Sequence, residues 1–191
     1  MAIEPTTAAT YRRELSDGLI MRWATPNDAE HIAQLSGMVF RDSEDEPINR
    51  NMVRWVLYLM SGEYPLAPVD YGVVEDPNKE GNPIVASMCL LRQEWEYEGI
   101  PFRMGRPEIV ASDPAYRNRG LIRALMEMLH ARSTAEGDLL QGITGILYFY
   151  RQFGYEYALD LGGSRKTYLS LIPQAKAGEP EPYTLRPATT D

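Results

Sequence analysis

Three arginines, Arg117, Arg119 and Arg123, lie where a strand-like run at residues 108–112 gives way to a helical pattern at residues 121–129. The first amides of a helix have no partner inside the helix, and the helix dipole is positive at that end. Backbone N–H groups and guanidinium groups would therefore surround one position of the size of a phosphate. This turn predicts a site for the diphosphate of a cofactor, with contacts from Arg117, Asn118, Arg119, Gly120, Leu121, Ile122 and Arg123.

Composition and charge restrict the classes of partner. The chain has 191 residues, of which 44% are hydrophobic, enough for one packed domain of ordinary size with extensions. Its 27 acidic residues outnumber 19 lysines and arginines, which gives a formal net charge of -8. Negative charge repels nucleic acid and anionic membranes, and the arginine cluster is too small for a nucleic-acid-binding face. We therefore predict no nucleic acid and no membrane partner.

The thiol and imidazole side chains do not form a recognisable metal site. Cys89 is the single cysteine, which rules out an internal disulfide and suits the reducing cytoplasm. His31 and His130 lie in helical patterns without a second ligand at metal-binding spacing. No apolar stretch has transmembrane length, and residues 1–17 do not resemble a secretion signal. The sequence thus predicts a cytoplasmic protein without a bound metal.

Two helices are predicted in the first third of the chain. Thr25, Pro26 and Asp28 combine a helix cap, a residue suited to the first helical position and the acid of a capping box. Apolar residues recur at helical spacing after this start, and again over residues 49–60. The acidic run at residues 42–46 predicts a loop between the two helices.

The rest of the chain alternates strand and helix signals. Helices are predicted from residue 121 to a stop near Gly137 and over residues 146–153. Strands are predicted at residues 71–74, 84–92, 95–97, 100–103, 108–112, 139–144, 155–161 and 166–172. The first two strands should form an antiparallel hairpin. The order of elements indicates a mixed α/β chain of the α+β class with a largely antiparallel sheet.

A short internal repeat bears on domain organisation. Residues 19–25 recur in similar form at residues 183–189, after a linker rich in proline and glutamate at residues 173–182. One interpretation is coincidence over a few matched positions, and the other is a second domain of the same kind that begins at about Tyr183. The second interpretation gives an N-terminal extension at residues 1–18, a domain at 19–172, the linker, and a truncated second domain at 183–191.

Two motifs resemble those of the GNAT superfamily of acyl-CoA-dependent N-acetyltransferases. Residues 117–122 are similar to its Arg/Gln-x-x-Gly-x-Gly/Ala cofactor turn, although Ile122 stands where a small residue is usual, and residues 150–155 are similar to its late Tyr-x-x-x-Gly-Phe segment. Within the superfamily the chain looks like the N-terminal domain of Eis-like acetyltransferases. The resemblance implies a mostly antiparallel sheet of six to seven strands, flanked by about four helices, with a splayed strand pair that holds acyl-CoA.

The resemblance also implies how acetyl-CoA would bind as a co-substrate. In this family the strand before the turn separates from its neighbour and exposes main-chain groups. Here these groups belong to Val110, Ala111 and Ser112, and they would bind the pantetheine arm and the acyl carbonyl. The amides of residues 118–123 would hold the diphosphate.

For Tyr150 the resemblance implies the role of general acid towards the departing CoA thiolate. A phenol has a pKa of about 10 and is mostly protonated at neutral pH, so it can donate this proton. The alternative is that Tyr150 packs against the sheet, as is expected for its neighbours Tyr148 and Tyr155.

The general base is not identified by the sequence. Strand alternation places Glu108 on the opposite face from Ile109, the position at which some acetyltransferases carry a glutamate base, so Glu108 is not predicted to act. In Eis-like enzymes the C-terminal carboxylate of the protein enters the active site of the first domain. A truncated chain would lack that group and would bind cofactor yet acetylate poorly.

The predicted acceptor is a primary amine of a small cationic molecule or of lysine. The acidic loop at residues 42–46 would attract such a cation, with Trp55 and Tyr64 lining the same pocket. The alternatives are a solvated loop and core aromatics. A second hypothesis of a different class is a catalytically silent acyl-CoA-binding module, or a scaffold domain in a homo-oligomer.

Overall fold

The computed structural model describes residues 7–63, 70–146 and 148–158, together with Tyr168, Gly178 and Arg186. Within these residues the central element is one six-stranded sheet whose strands follow chain order. Neighbouring strands are antiparallel except for the last pair, which is parallel. The strands are β1 (Arg12–Glu14), β2 (Ile20–Trp23), β3 (Tyr71–Glu75), β4 (Ile84–Tyr97), β5 (Ile100–Ser112) and β6 (Leu140–Gln141).

Helices cover both faces of this sheet. Helices α1 (Ala29–Val39) and α2 (Arg50–Met60) pack on one face, and α3 (Leu121–Ala135) packs on the other. Val73 joins the core on the α1 and α2 side, whereas Val74 joins the core on the α3 side, as expected for neighbours on a strand. The predicted α+β class and largely antiparallel sheet are confirmed.

The capping signals at Thr25–Asp28 start a short 3₁₀ helix, Pro26–Asp28, which leads directly into α1 at Ala29. The Asp28 carboxylate accepts hydrogen bonds from the Thr25 backbone N–H at 2.7 Å and from the Thr25 hydroxyl at 2.9 Å. Arg22 donates to both oxygens of the same carboxylate, at 2.8 and 2.9 Å. Burial of the Asp28 carboxyl raises its pKa, but the hydrogen bonds from Arg22 and Thr25 outweigh burial and hold this pKa below its ordinary value. The cap therefore stays ionised.

Two strand features differ from the prediction. Strand β1 lies in the predicted extension, where it pairs with β2 while Tyr11 beside it is buried in the core. Strands β4 and β5 are each continuous and form one long hairpin. The strand predicted at residues 95–97 is therefore the end of β4, and the strands predicted at 100–103 and 108–112 are both parts of β5. The chain reverses between β4 and β5 at Glu98 and Gly99, both of which have positive φ, as a tight two-residue turn requires.

The end of the described chain corrects two further predictions. The helix predicted at residues 146–153 is a short 3₁₀ helix, Phe149–Phe153. Residues 155–158 of the strand predicted at 155–161 do not form a strand. Its remainder, the strand at 166–172, the linker and residues 183–191 lie outside the described residues, apart from three isolated positions.

Ionic contacts fix the C-terminal end of α3 against the sheet. Asp70, which is 0% exposed, is paired with Arg132 of α3 at 2.9 Å and with Arg92 of β4. Arg132 also contacts Glu136 at 2.7 Å. A buried carboxylate requires such partners, so this cluster sets the position of α3 and hence of its N-terminus. Among the described helices, none has both the length and the apolar character to cross a membrane.

Candidate functional site

The predicted cofactor turn connects β5 to α3. A 3₁₀ helix, Pro114–Tyr116, is followed by an exposed turn, and α3 starts at Leu121. Asn118 and Gly120 have positive φ values of 61° and 74°. The backbone N–H groups of residues 118–123 donate to no acceptor in the described part of the chain, whereas Ala124 N–H bonds to the Gly120 carbonyl. The turn therefore presents a row of amides at a helix N-terminus, which is the physical requirement for binding an anion.

The three arginines of the turn have different surroundings. The Arg119 guanidinium lies 4.7 Å from the centroid of the Tyr116 ring and 3.8 Å from Asp17. Arg123 turns towards the 3₁₀ helix, where it donates to Gln152 at 2.8 Å and lies over the Phe153 ring. Arg117 is exposed. Arg117 and Arg119 thus lie in the exposed turn itself, whereas Arg123 links α3 to the segment that contains Tyr150.

The loop between β3 and β4 holds the turn in place. The Tyr116 hydroxyl donates to Asp76 at 2.7 Å, and Lys79 contacts Asp113 at 2.7 Å. The hydrogen bond from Tyr116 lowers the pKa of Asp76, so this carboxylate is ionised at neutral pH. Asp113 in turn accepts from the backbone N–H of Ala115 at 3.0 Å. The conformation of the turn is therefore fixed by contacts outside it.

Strand β5 contains a bulge immediately before the turn. Ser87 pairs with Ala111 but Cys89 pairs with Glu108, so the single residue between them on β4 faces two residues on β5. Ile109 has a φ of 51°, which is rare for a β-branched residue and costs on the order of 1–3 kcal/mol. Such strain is concentrated at functional sites. Alternation fails at this point, so Glu108 and Ile109 both lie on the α1 and α2 side of the sheet.

In the described part of the chain, no strand pairs with the outer edge of β5 beside the bulge. Strand β6 pairs with β5 only at Met104 and Gly105. Val110, Ala111 and Ser112 lie beyond that pairing, on the side of β5 that leads to the turn. The two strands are therefore separated where the sequence predicts free main-chain groups, in agreement with a splayed pair.

Tyr150 lies in the 3₁₀ helix Phe149–Phe153, which follows β6 in the chain. Its ring is half-buried against Phe149, Phe153 and Tyr155, and its hydroxyl forms no hydrogen bond with the described residues. Burial, and then the charge of Glu108, raise the pKa of Tyr150. The phenol is therefore protonated at neutral pH, as a general acid must be. Tyr148, by contrast, is 61% exposed.

Glu108 is a candidate residue that the sequence analysis rejected. Its Oε1 accepts from Arg106 Nε at 2.8 Å and from the Thr144 hydroxyl at 2.9 Å. Its Oε2 contacts no hydrogen-bond donor among the described residues. Thr144 precedes Gly145, which lies directly against the Tyr150 ring. The structure thus brings Glu108 and Tyr150 into one site, and the rejection, which relied on strand alternation, was wrong about the face on which Glu108 lies.

The predicted acceptor region is less defined. Residues 42–46 form an exposed loop whose carboxylates make no ion pair within the described ranges. Trp55 is 45% exposed on α2, and its ring lies 5.8 Å from that of Tyr58. Tyr64 lies outside the described residues. Both alternatives for the acidic loop therefore stay open.

His130 has a structural partner. It is half-buried on α3, and its Nε2 lies 2.8 Å from the Tyr155 hydroxyl. Burial lowers the pKa of His130. The described residues contain no group of three or more histidine, cysteine or acidic side chains that could hold a metal ion. Cys89 is buried on β4, and burial raises the pKa of its thiol to about 12.

The depressed pKa of His130 predicts a pH dependence of stability. In the unfolded chain His130 has an ordinary histidine pKa of about 6.5, so it binds a proton more readily than in the folded protein. The free energy of unfolding should therefore fall as the pH drops from above about 6.5 through the depressed pKa of the folded protein. His130→Gln cannot titrate, so its stability should fall less over the same range. Urea unfolding at a pH of about 7.5 and about 5.5 measures this difference. Equal losses in the two proteins would contradict the prediction.

The fold and the motifs agree with the comparison with known proteins. A family model described as an acetyltransferase (GNAT) domain matches residues 21–158. That span starts inside β2, at Met21, and includes β3 to β6, the turn and the segment that contains Tyr150. Comparison with the curated proteins finds no significant match.

Solved structures share the fold at low sequence identity. An acetyltransferase from Trypanosoma brucei is 22% identical with a TM-score of 0.53, and the match covers 79% of this chain and 98% of that one. A GNAT family acetyltransferase from Brucella melitensis, solved with acetyl-CoA, is 20% identical with a TM-score of 0.56, covering 72% and 82%. A probable N-acyltransferase from Enterococcus faecalis is 21% identical with a TM-score of 0.56, covering 77% of this chain but 33% of that one.

Proposed function

Because the chain belongs to the GNAT family of acetyltransferases, we propose that it transfers an acetyl group from acetyl-CoA to a primary amine. The observation that carries the proposal is the row of backbone amides at residues 118–123, which opens α3 directly beside the separated edge of β5. A cofactor with a diphosphate at one end and a thioester at the other would contact both features. The cofactors of this family are acyl-CoA molecules.

The proposed cofactor position follows from these two features. The diphosphate would accept hydrogen bonds from the amides of residues 118–123, with Arg117 and Arg119 supplying positive charge. The pantetheine arm would follow β5, with its amides bonded to the main chain of Val110, Ala111 and Ser112. In this proposed pose the thioester would lie near the bulge at Ile109 and hence near Glu108.

The proposed chemistry uses two side chains of the site. A neutral amine attacks the thioester carbonyl, and the nitrogen loses a proton to Oε2 of Glu108, which contacts no donor among the described residues. The C–S bond then breaks, and Tyr150 donates its phenolic proton to the CoA thiolate. The products are the acetylated amine and CoA, and exchange with water restores the protonation of both side chains.

The proposed acceptor is a small cationic molecule or a lysine side chain. The formal net charge of -8 and the acidic loop at residues 42–46 favour cationic acceptors. An amine panel that includes a polyamine, an aminoglycoside and a lysine peptide, assayed by release of CoA thiol, tests the function. Turnover of none of these amines, together with binding of acetyl-CoA, would favour the alternative of a silent acyl-CoA-binding or oligomer-scaffold module.

We further propose that the chain is the first module of an Eis-like protein. The repeat at residues 183–189 supports this organisation, as does the likeness to the much longer Enterococcus faecalis protein. The sequence of the complete gene tests the proposal, since a second acetyltransferase-like domain should follow residue 183. A reading frame that ends soon after residue 191 would contradict it.

Charge reversal in the turn should weaken cofactor binding. Arg119→Glu replaces a cation beside the row of amides with an anion that repels the diphosphate. We expect the Kd for acetyl-CoA to rise roughly tenfold to a hundredfold, the range for loss of one charge-assisted hydrogen bond. Calorimetric titration measures the change. Arg54→Glu is the matched control, because Arg54 is exposed on α2 and carries the same change of charge. Unchanged affinity in Arg119→Glu would remove the turn from the cofactor site.

A further inference from the structure

Tyr155 directly follows Gly154, which has a φ of 93° and ends the 3₁₀ helix that contains Tyr150. Tyr155 is half-buried, and its hydroxyl has two partners. The hydroxyl lies 2.8 Å from His130 Nε2 and 3.2 Å from Gln141 Oε1. One hydroxyl therefore connects α3, β6 and the segment that contains Tyr150.

The hydrogen bonds define the roles of the three groups. The Gln141 oxygen can only accept, so the Tyr155 hydroxyl donates its single proton to it. The remaining bond then has His130 as the donor, through a protonated Nε2 of the neutral imidazole. The depressed pKa of His130 agrees with a neutral ring at pH 7. The His130 ring also contacts the Tyr155 ring, with centroids 5.6 Å apart.

Tyr155 in turn contacts Tyr150 in two ways. The two rings meet edge to face, with centroids 6.3 Å apart and an interplanar angle of 76°. The Tyr155 backbone N–H donates to the Tyr150 carbonyl at 3.4 Å. Because the 3₁₀ helix Phe149–Phe153 is short, its own hydrogen bonds fix Tyr150 weakly. The orientation of the Tyr150 ring therefore depends on neighbours that are themselves fixed.

A second contact attaches the same segment to α3 near the cofactor turn. Arg123 donates to Gln152 at 2.8 Å, and its guanidinium lies 5.0 Å from the centroid of the Phe153 ring. His130 is seven positions after Arg123, which is two helical turns and thus the same face of α3. The segment is therefore held at two points on one helix, at Gln152–Phe153 and at Tyr155, which follow Tyr150 within five residues.

We propose that the hydrogen-bonded group of Tyr155, His130 and Gln141 positions Tyr150 for proton donation. Tyr155 does not contact the reacting atoms; it fixes one wall of the space that the Tyr150 ring occupies. The inference rests on the proposed function for its effect on turnover. Its structural content, that the Tyr155 hydroxyl sets the environment of the Tyr150 phenol, is independent of turnover.

The kinetic test compares Tyr155→Phe with the unaltered protein. We expect kcat to fall on the order of tenfold, with the KM for acetyl-CoA unchanged, because a small displacement of the acid affects the chemical step and not cofactor binding. Tyr97→Phe is the matched control, since Tyr97 is 69% exposed at the tip of the β4–β5 hairpin. His130→Leu should behave like Tyr155→Phe. His130→Gln, which can still donate a hydrogen bond, should recover part of the rate.

A double substitution separates positioning from a general loss of stability. If Tyr155 acts through Tyr150, adding Tyr155→Phe to Tyr150→Phe should cause no further fall in kcat. If Tyr155→Phe lowers kcat in the Tyr150→Phe protein by the same factor as in the unaltered protein, the inference is overturned and the proposed function is left intact. Absence of turnover in the unaltered protein with every amine would instead count against the proposed function.

Carbon NMR of proteins with labelled tyrosine rings tests the inference without turnover. The Tyr150 signal is assigned by its loss in Tyr150→Phe and titrated with pH. In Tyr155→Phe we expect the Tyr150 signal to shift and its pKa to move towards the ordinary value of about 10, because the ring becomes more solvated. An unchanged signal and pKa for Tyr150, in a folded Tyr155→Phe protein, would overturn the inference.

Discussion

Tyr150→Phe is expected to lower kcat by about 10²- to 10⁴-fold, the usual contribution of a general acid. The substitution removes one oxygen and keeps the ring contacts with Phe149, Phe153 and Tyr155. The leaving thiolate must then take its proton from solvent. The KM for acetyl-CoA should change little, because the hydroxyl is proposed to act on the departing sulfur and not on the diphosphate. Steady-state release of CoA thiol with a reactive amine measures both constants.

The control for this experiment is Tyr148→Phe. Tyr148 lies in the same aromatic segment and loses the same hydroxyl, but it is 61% exposed. We expect its kcat to be within a factor of about two of the unaltered value, as for most surface substitutions. A Tyr150→Phe protein that turns over at the unaltered rate would show that the thiolate leaves without this acid, and Tyr150 would then be an aromatic packing residue.

The pH dependence of the same reaction provides a separate check. The pKa of Tyr150 is raised above the ordinary phenol value of about 10, by burial first and by the Glu108 charge second. A raised pKa keeps the acid protonated to higher pH, so activity should be lost only as the pH rises through that value. Tyr150→Phe should remove this alkaline decline from the pH profile of kcat.

Local signals predicted the elements whose structure is set by neighbouring residues. The start of α1 was predicted because Thr25, Pro26 and Asp28 act within one turn of chain, and the structure contains their hydrogen bonds. The turn at residues 117–123 was predicted for the same reason, since Gly120 adopts the left-handed conformation that precedes α3. In both cases the chemistry of a few adjacent residues decides the conformation.

Elements that depend on distant partners were predicted less well. Strand β1 has the sequence Arg-Arg-Glu, without apolar alternation, and it is a strand because β2 offers its free edge. The helix predicted at residues 146–153 is a 3₁₀ helix held by side chains of α3 and by its own aromatic rings. These interactions join residues far apart in the sequence, so spacing along the chain does not reveal them.

The bulge explains why one candidate site residue was missed. Ile109 is β-branched, and such residues favour regular extended strands, so its type gives no signal for a positive φ. Strand alternation was therefore extended through residue 109, and it placed Glu108 on the wrong face. A buried β-branched residue in a left-handed conformation is recognisable only from the pairing with β4.

Glu108→Gln is expected to lower kcat by about 10²- to 10⁴-fold, as for loss of a general base. Glutamine has nearly the same shape, and its amide oxygen can still accept from Arg106 and Thr144, as Glu108 Oε1 does. The variant should therefore fold with little loss of stability, which thermal unfolding measures. It cannot take a proton from the attacking amine. Glu96→Gln on the exposed part of β4 is the matched control and should keep the unaltered rate.

The electrostatic coupling between Glu108 and Tyr150 makes this prediction testable even when turnover is slow. The negative charge of Glu108 disfavours the Tyr150 phenolate and so raises the pKa of the phenol. Glu108→Gln removes that charge, and the pKa of Tyr150 measured by NMR should fall, whereas it should not change in Glu96→Gln. A fall in this pKa without loss of kcat would show that Glu108 lies in the site but is not the base, and the base would then have to come from another part of the protein. If neither kcat nor the pKa of Tyr150 changes in Glu108→Gln, Glu108 and Tyr150 do not belong to one active site, because two ionisable groups that share an active site must influence each other's protonation.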